Sequence, residues 1–174
     1  MTSKIYTPIL VVALALNSGI AAAANHQMGH NMSGMTMELG VSDENLDLRF
    51  IDAMILHHQG AVSMAKEAIQ KSQRPEIKKL ALEIIKAQEK EITQLQTWRR
   101  TWYPRIGSTP MAWNSQMGHM MPMSETQREA MMMTMSLGNA DENFDLRFIN
   151  AMILHHNKQR LSDKKSKGLR KTSY

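Results

Sequence analysis

Apolar side chains recur every three or four positions over two long stretches, which predicts two amphipathic α-helices. The first is expected to begin at Ser42 or Asp43, where acidic residues favour a helix N-terminus, and to run to about Ser72. The second is expected over about 75–103, with Pro75 as its first residue. Because the loop between them is so short, the two helices should lie antiparallel.

The region after the second helix is expected to be an irregular, Met-rich linker over 104–123. Three residues end the helix and prevent another from starting: Pro104, Gly107 and Pro110. Ser124-x-x-Gln127 then matches a capping box, which predicts a short helix that carries Met131, Met132, Met133 and Met135. Gly138 should end that helix. No stretch shows sustained strand alternation, so no strand is expected.

An internal repeat is the strongest organisational feature. Residues 35–58 and 133–156 are identical at 19 of 24 positions, at an offset of 98. Each copy holds a Met-rich lead-in, a helix start and Met-x-x-His-His. Two such units predict an all-α domain over 43–156, in which helical hairpins form a complete or incomplete four-helix bundle. Its parts are the first hairpin, the linker and the second-copy helices: 43–103, 104–123 and 124–156.

The repeat stops abruptly after His156. Residues 157–174 carry seven Lys or Arg, one Asp and few apolar side chains, so this basic tail is expected to be disordered. The sharp boundary suggests a shift of reading frame, with a native basic end as the alternative. Because the tail carries +6 and residues 25–156 carry −2, the pI of about 9.6 gives no argument for a nucleic-acid partner.

The N-terminal residues 1–24 have the organisation of a signal peptide. Lys4 precedes an apolar stretch, and Ala22-Ala23-Ala24 fits a small-x-small cleavage site before Asn25. A membrane anchor is the alternative, but the uninterrupted apolar run Ile9–Leu16 is far shorter than the roughly 20 residues that span a bilayer. The mature chain is therefore expected to be periplasmic and without a membrane span. Residues 25–42, rich in Met, His and Gly, should form a flexible segment.

The composition restricts the possible chemistry. The chain has 17 Met and no Cys, which excludes a disulfide scaffold, a thiolate zinc site and an iron–sulfur cluster. It lacks a Gly-rich phosphate loop, Gly-x-Ser-x-Gly, His-Glu-x-x-His and the Glu-x-x-His pairs of di-iron bundles. No enzymatic activity is expected.

The Met-x-x-His-His motifs are the sharpest candidates for metal ligands. On a helix, positions three and four apart are neighbours, so each Met lies beside its two His residues. A thioether with imidazoles is a soft, uncharged ligand set that suits Cu(I). Met64 lies two turns beyond His57, so it would need a ligand from elsewhere or would belong to a second site. For the Met residues the alternative is core packing, and for the His pairs it is a partly exposed helix face. The residues concerned are Met54, His57, His58, Met64, Met152, His155 and His156.

Two irregular Met/His strings are also predicted to bind metal, because Gly- and Ser-rich loops offer little core for Met to fill. The alternatives are a promiscuous hydrophobic binding surface, or sequence drift and oxidant scavenging. The first string holds His26, Met28, His30 and Met32, followed by Met35 and Met37. The second holds Met117, His119, Met120, Met121 and Met123.

Two arginines recur at matching places in the repeat. Arg49 lies three residues before Asp52, which predicts an ion pair within the helix. Arg147 lies three residues before Asn150, so the same explanation does not cover it.

The first helical hairpin resembles the bacterial DUF305 family over about 43–103, and the resemblance recurs at 141–156. The matching segments are Phe50-Ile51-Asp52-Ala53-Met54-Ile55-Leu56-His57-His58 with Ala61, Met64 and Ala65, and then Ile84 to Ile92 with Gln88 and Glu91. The Met-rich form with a signal peptide is similar to the CopM-like periplasmic copper-binding proteins. This implies a ferritin-like bundle and carries a metal role to the residues of both Met-x-x-His-His motifs and to Met64. No second Gly-Ala-x-x-Met-Ala follows His156.

The sequence therefore predicts an exported protein that sequesters or carries Cu(I) in copper homeostasis or resistance, without turnover. Its expected partners are the copper ion, a copper exporter or periplasmic sensor protein, and a second copy in a homodimer. The alternative is a helical interaction or envelope-stress module that binds a protein partner through a Met-rich surface.

Overall fold

The computed structural model describes residues 39–171, and side chains as far as 157. These residues belong to one compact unit, Met35–Tyr174. The predicted signal peptide, His26, Met28, His30, Met32, Met35 and Met37 lie outside the described residues. The elements in chain order are α1 (Leu46–Lys71), α2 (Pro75–Trp102), β1 (Met111–Asn114), β2 (His119–Pro122), α3 (Glu125–Met132) and α4 (Phe144–Lys171). The mostly helical, bundle-like fold expected from the sequence is confirmed.

Helices α1 and α2 form the predicted antiparallel pair. The start of α1 packs against the end of α2, where Ile51 and Met54 meet Leu95. The end of α1 packs against the start of α2, where Ala68 meets Ala81. Both alanines are fully buried, and their small side chains let the backbones approach closely. The turn between the helices needs only 72–74, as the sequence indicates.

The second copy of the repeat packs on the other side of α1. Leu137, Phe144 and Phe148 are almost fully buried in the same cluster as Ala61 and Met64 of α1. Lys71 at the end of α1 donates a hydrogen bond to the carbonyl of Gly138 at 2.7 Å. Helix α3 also packs on α1. The first helix therefore lies at the centre of the bundle, with α2, α3 and α4 around it.

The prediction that 104–123 lacks strands is wrong, because β1 and β2 form an antiparallel hairpin that pairs Trp113 with Met120. Its turn has clear polar determinants. The Asn114 side-chain oxygen accepts from the backbone N–H groups of Gln116 and Met117, both at 3.0 Å. Gly118 supplies the left-handed conformation that the turn needs, with φ +69. Each strand has only four residues, too few for alternation to identify it.

Helix α3 has the predicted capping box. Ser124 Oγ accepts from the backbone of Gln127, and the Gln127 side chain accepts from the backbone of Ser124. The helix ends earlier than expected, at Met132 rather than at Gly138, because Met133 adopts a left-handed conformation with φ 49. Met133 and Met135 therefore follow the helix instead of belonging to it.

The start of α1 differs from the prediction. Asn45 occupies the N-cap position without a side-chain hydrogen bond, and neither Ser42 nor Asp43 caps the helix. Arg49 does not pair with Asp52. Its guanidinium instead turns back to the preceding loop, where it donates to the carbonyls of Leu39 and Val41 at 2.6 and 2.7 Å. It also forms an ion pair with Asp43 at 2.9 Å.

The second copy builds the same arginine-centred loop. Arg147 donates to the carbonyls of Leu137 and Asn139, both at 2.7 Å, and pairs with Asp141 at 2.9 Å. Every one of these positions lies 98 residues after its counterpart. The recurrence of Arg147, which a helix ion pair did not explain, follows from this loop. Each copy of the repeat therefore encodes its own helix entry as well as its histidine pair.

Asp52 connects the helical hairpin to the segment that follows it. The Arg99 guanidinium of α2 donates to both carboxylate oxygens of Asp52, at 2.5 and 3.2 Å. The backbone N–H of Met111 donates to the same carboxylate at 2.8 Å. Arg99 also donates to the carbonyls of Gly107 and Thr109. This network fixes the irregular segment between α2 and β1 on the bundle.

The prediction of a disordered tail from 157 is wrong for 157–171, because α4 continues as helix to Lys171. Lys, Arg, Gln and Leu dominate this stretch, and all four are good helix formers whose presence does not require an apolar face. Among the helices in the described part of the chain, none is long and apolar enough to cross a membrane.

Candidate metal site at the contact of the two repeats

The two histidine pairs meet where α1 and α4 touch. The rings of His57 and His155, which occupy equivalent positions in the repeat, lie with their centroids 3.6 Å apart. His155 Nε2 lies 3.0 Å from the carbonyl oxygen of His57. The second histidine of each pair lies next to the first. The ring centroids of His58 and His57 are 6.0 Å apart, and those of His156 and His155 are 6.1 Å apart. The fold thus gathers the histidine pairs of both repeats into one cluster.

Three of these imidazoles are buried with ring nitrogens that have no hydrogen-bond partner. His57, His58 and His155 are each at most 2% exposed. The nitrogens without a partner are His57 Nδ1, His57 Nε2, His58 Nδ1 and His155 Nδ1. Leaving a buried polar group unsatisfied costs roughly 1–3 kcal/mol. This concentration of unpartnered nitrogens at one helix contact indicates that the histidines have a role other than stabilising the fold.

The histidines of the cluster are neutral at pH 7. Burial and, to a smaller extent, the neighbouring imidazoles of His155, His58 and His156 lower the pKa of His57 to about 2. Burial and nearby imidazoles also lower the pKa values of His58 and His155 to about 4. Burial lowers the pKa of His156 as well. A neutral imidazole keeps the lone pair that a metal ligand needs, so no proton has to leave before binding.

Helix α2 supplies two polar residues to this cluster that the sequence did not identify as part of the site. Glu91 Oε2 lies 3.1 Å from His58 Nε2. Gln88 is buried beside it, 6% exposed, and its Oε1 has no hydrogen-bond partner. A signal for them was present, since Gln88 interrupts the apolar stripe of α2 at a core position and Glu91 follows one helical turn later.

The three methionines of the helical motifs are buried in the core. Met54 packs with Ile51 and Leu95 between α1 and α2. Met64 and Met152 belong to one cluster, although they come from different helices, α1 and α4. Core packing therefore accounts for their burial, and their role as ligands stays a prediction.

The second Met/His string lies in and beside the hairpin. Met117 is 60% exposed, and His119 Nδ1 lies 3.0 Å from its carbonyl oxygen. Met121 Sδ lies 3.6 Å from the Asn114 amide nitrogen. Met123 is buried against Ala53 and Leu56 of α1, while Met120 faces Trp113 across the hairpin. This string therefore divides into an exposed part in the turn and a buried part on α1.

Within the described residues, no three His, Asp or Glu side chains form a group that could hold a metal ion by themselves. A metal at the histidine cluster would therefore need thioether donors as well.

Comparison with known proteins agrees with this organisation. The family model described as a domain of unknown function, DUF305, matches residues 47–159. The chain belongs to the DUF305 family. This DUF305 protein is similar to the solved structure "CopM in the Cu(II)-bound form", with 37% sequence identity and a TM-score of 0.50. The match covers 70% of this chain and 75% of that chain. No curated protein matches the sequence. The resemblance predicted from the motifs is thus confirmed.

Proposed function

We propose that this protein is an exported, periplasmic copper-binding protein. It holds Cu(I) through methionine and histidine ligands and sequesters or carries the ion in copper homeostasis or resistance, without turnover. The observation that carries the proposal is the cluster of buried, neutral imidazoles with unpartnered nitrogens at the contact of the two repeats. The similarity to CopM, a protein solved in a Cu(II)-bound form, supports copper as the metal.

The available donors favour copper over hard cations. Imidazole nitrogen suits copper in both oxidation states, whereas thioether sulfur favours Cu(I) and is a poor ligand for Mg²⁺ or Mn²⁺. Met64 and Met152 are buried in the core that the two repeats share, so thioethers from both copies are available near α1 and α4. The candidate ligands of this inner site are Met54, His57, His58, Met64, Met152, His155 and His156.

The hairpin offers a second, more accessible set of donors. Met117 is well exposed, and His119 and Met121 lie two positions apart on β2, so their side chains point to the same side of the strand. We propose that Met117, His119, Met120, Met121 and Met123 capture Cu(I), as do His26, Met28, His30 and Met32 of the N-terminal string. A copper exporter or a periplasmic sensor would be the recipient.

A Cu(I) titration of residues 25–174 against a colorimetric chelator tests the proposal. We expect at least one tightly held Cu(I) per chain and much weaker Zn²⁺ binding. The double variant His57→Gln, His155→Gln should lose at least tenfold in affinity at the tightest site, because it removes three ring nitrogens without a hydrogen-bond partner, His57 Nδ1, His57 Nε2 and His155 Nδ1. Met152→Leu keeps the volume and removes only the sulfur, so it tests the thioether separately.

Lys66→Ala is the matched control, because Lys66 is exposed on α1 and lies outside both donor sets. It should bind copper as the wild type does. A chain that takes up no Cu(I), or that binds Zn²⁺ as tightly, contradicts the proposal. If the double variant keeps its affinity for Cu(I), the tightest site lies in the hairpin or in the N-terminal string instead.

A further inference from the structure

Two histidines of the cluster have their tautomer fixed by an oxygen acceptor. A carbonyl oxygen can only accept, so His155 Nε2, 3.0 Å from the His57 carbonyl, must carry the proton. A carboxylate likewise accepts, and Glu91 Oε2 lies 3.1 Å from His58 Nε2. In a neutral imidazole only one nitrogen is protonated. The lone pair of both rings is therefore on Nδ1, the atom that is buried without a partner in each.

We propose that Glu91 is a positioning residue for the copper site: it holds the Nε2 proton of His58 and thereby presents Nδ1 to the metal. The His57 carbonyl does the same for His155, so each repeat contributes one histidine whose Nδ1 is available. This inference rests on the proposed copper function and specifies which atoms would serve it. The carboxylate–histidine–metal arrangement is a common way to orient a ligand ring and raise its basicity.

The location of Glu91 suits this role. Its side chain is 17% exposed, so the carboxylate lies mostly out of water beside a fully buried ring. It comes from α2, whereas His58 comes from α1, so the contact also sets the orientation of the ring relative to the bundle. Gln88 lies one turn earlier on the same face of α2 and is buried as well. Helix α2 therefore takes part in the site although it contains neither member of the repeated motif.

Nitrogen NMR of the uniformly labelled, metal-free chain tests the tautomers directly. We expect His58 and His155 to show protonated Nε2 and unprotonated Nδ1. Addition of Ag(I), a diamagnetic soft ion, should shift the Nδ1 resonances of both rings. Glu91→Ala should weaken Ag(I) and Cu(I) binding by about 10- to 100-fold. Glu91→Gln keeps an oxygen acceptor and should restore most of the affinity.

The matched control is Glu89→Ala, two residues away on the exposed face of α2. It should leave the affinity and the tautomers unchanged. Protonated Nδ1 in the metal-free protein, or equal affinities for Glu91→Ala and Glu89→Ala, overturns the role of Glu91 while leaving copper binding intact. Failure of the wild type to bind either ion instead overturns the proposed function, and the tautomer spectra remain a separate test of the contact.

An independent observation concerns the outer face of α4. Leu146, Ile153 and Leu154 are 57%, 45% and 43% exposed. Their repeat counterparts on α1 are covered, since Leu48 is fully buried and Leu56 is 7% exposed. The same sequence thus has a buried face in the first copy and an open face in the second.

Helices α2 and α3 and the residue Met123 cover the corresponding face of α1. Ile55 packs beside Leu95 and Trp98 of α2, and Leu56 packs beside Met123 and the methionines of α3. On α4, no element of the described chain covers the corresponding three residues. A second copy of this chain offers both an apolar surface of the same kind and a matching charge pattern.

We infer that two chains pair through this face, with their α4 helices antiparallel about a twofold axis near Ile153 and Leu154. Exposed acidic residues, Asp141 and Glu142, lie just before the helix, and the half from Lys158 to Lys171 carries seven Lys or Arg. Antiparallel packing places the acidic end of one helix beside the basic half of its partner. Parallel packing would place like charges together. A twofold, self-complementary contact is also the commonest form of a homodimer.

Sedimentation equilibrium of residues 25–174 tests this pairing. The wild type should be a dimer that weakens with added salt, and Ile153→Glu with Leu154→Glu should give a monomer with unchanged helical circular dichroism. Leu82→Glu, at an exposed leucine of α2, is the control and should remain dimeric. A monomeric wild type overturns the inference, and the apolar face of α4 would then bind a different partner. Equal loss of the dimer in the Leu82→Glu control overturns it as well.

Discussion

Replacement of Asp52 by alanine is expected to destabilise the protein by about 3–5 kcal/mol, because it leaves a buried charge without its partner. Arg99 is 11% exposed and donates two hydrogen bonds to the Asp52 carboxylate. The variant would also leave the Met111 N–H without its acceptor. Burial raises the pKa of Asp52, while the hydrogen bonds from Arg99 and Met111 lower it. The carboxylate therefore depends on these donors to remain charged at this depth.

Urea unfolding measures the effect, and the repeat provides the control. Asn150 is the counterpart of Asp52 in the second copy and is exposed, so Asn150→Ala should change stability by less than about 0.5 kcal/mol. The pair Asp52→Ala, Arg99→Ala should cost less than the sum of the two single variants, because both remove the same interaction. Similar stabilities for Asp52→Ala and Asn150→Ala would contradict the structural role of the network.

The Asp52–Arg99 contact also shows what the sequence could not predict. The two residues are 47 positions apart, whereas local spacing predicts Arg49, one helical turn away, as the partner of Asp52. Arg49 instead satisfies the carbonyls of the loop before α1. Helical periodicity predicts neighbours within a helix, but it does not show which of two arginines a buried carboxylate will bind. That choice depends on how α2 packs against α1.

The parts of the fold that were predicted have local causes. Helices α1 and α2 follow from the spacing of their apolar residues, their turn from Pro75, and the start of α3 from its capping box. The hairpin was missed because its strands are short and its turn depends on Asn114 and Gly118. The helical continuation of α4 is not evident from the sequence, because the stretch lacks the apolar periodicity that identifies a helix.

The candidate site was predicted in part. The His pairs could be identified because Met-x-x-His-His occurs twice, but the sequence does not show that the two copies meet with His57 and His155 in ring contact. Nor does it show Glu91 beside His58, because that contact joins different helices. The burial of Met54, Met64 and Met152 likewise depends on how three helices pack. Motifs thus indicate the chemistry, and the packing of α1 decides which atoms share a site.

Replacement of Gly60 by alanine is expected to destabilise the protein by about 1–3 kcal/mol, the range for overpacking a close contact. A Cβ at Gly60 would lie 1.7 Å from the backbone carbonyl oxygen of Met132. A backbone atom cannot rotate away as a side chain can, so α3 would have to move off α1. That shift would loosen the packing of Met132 and Met123 against Leu56.

The expected loss is informative because helix propensity predicts the opposite sign. Alanine favours a helix interior over glycine by roughly 1 kcal/mol, so an uncrowded Gly60 would give a more stable variant. Gly107→Ala is the control, because a Cβ there meets nothing within 4 Å and the backbone is not left-handed. It should be neutral or slightly stabilising in the same urea unfolding measurement. If Gly60→Ala proves as stable as Gly107→Ala, the close approach of α3 to α1 is contradicted, since no other feature of Gly60 requires glycine.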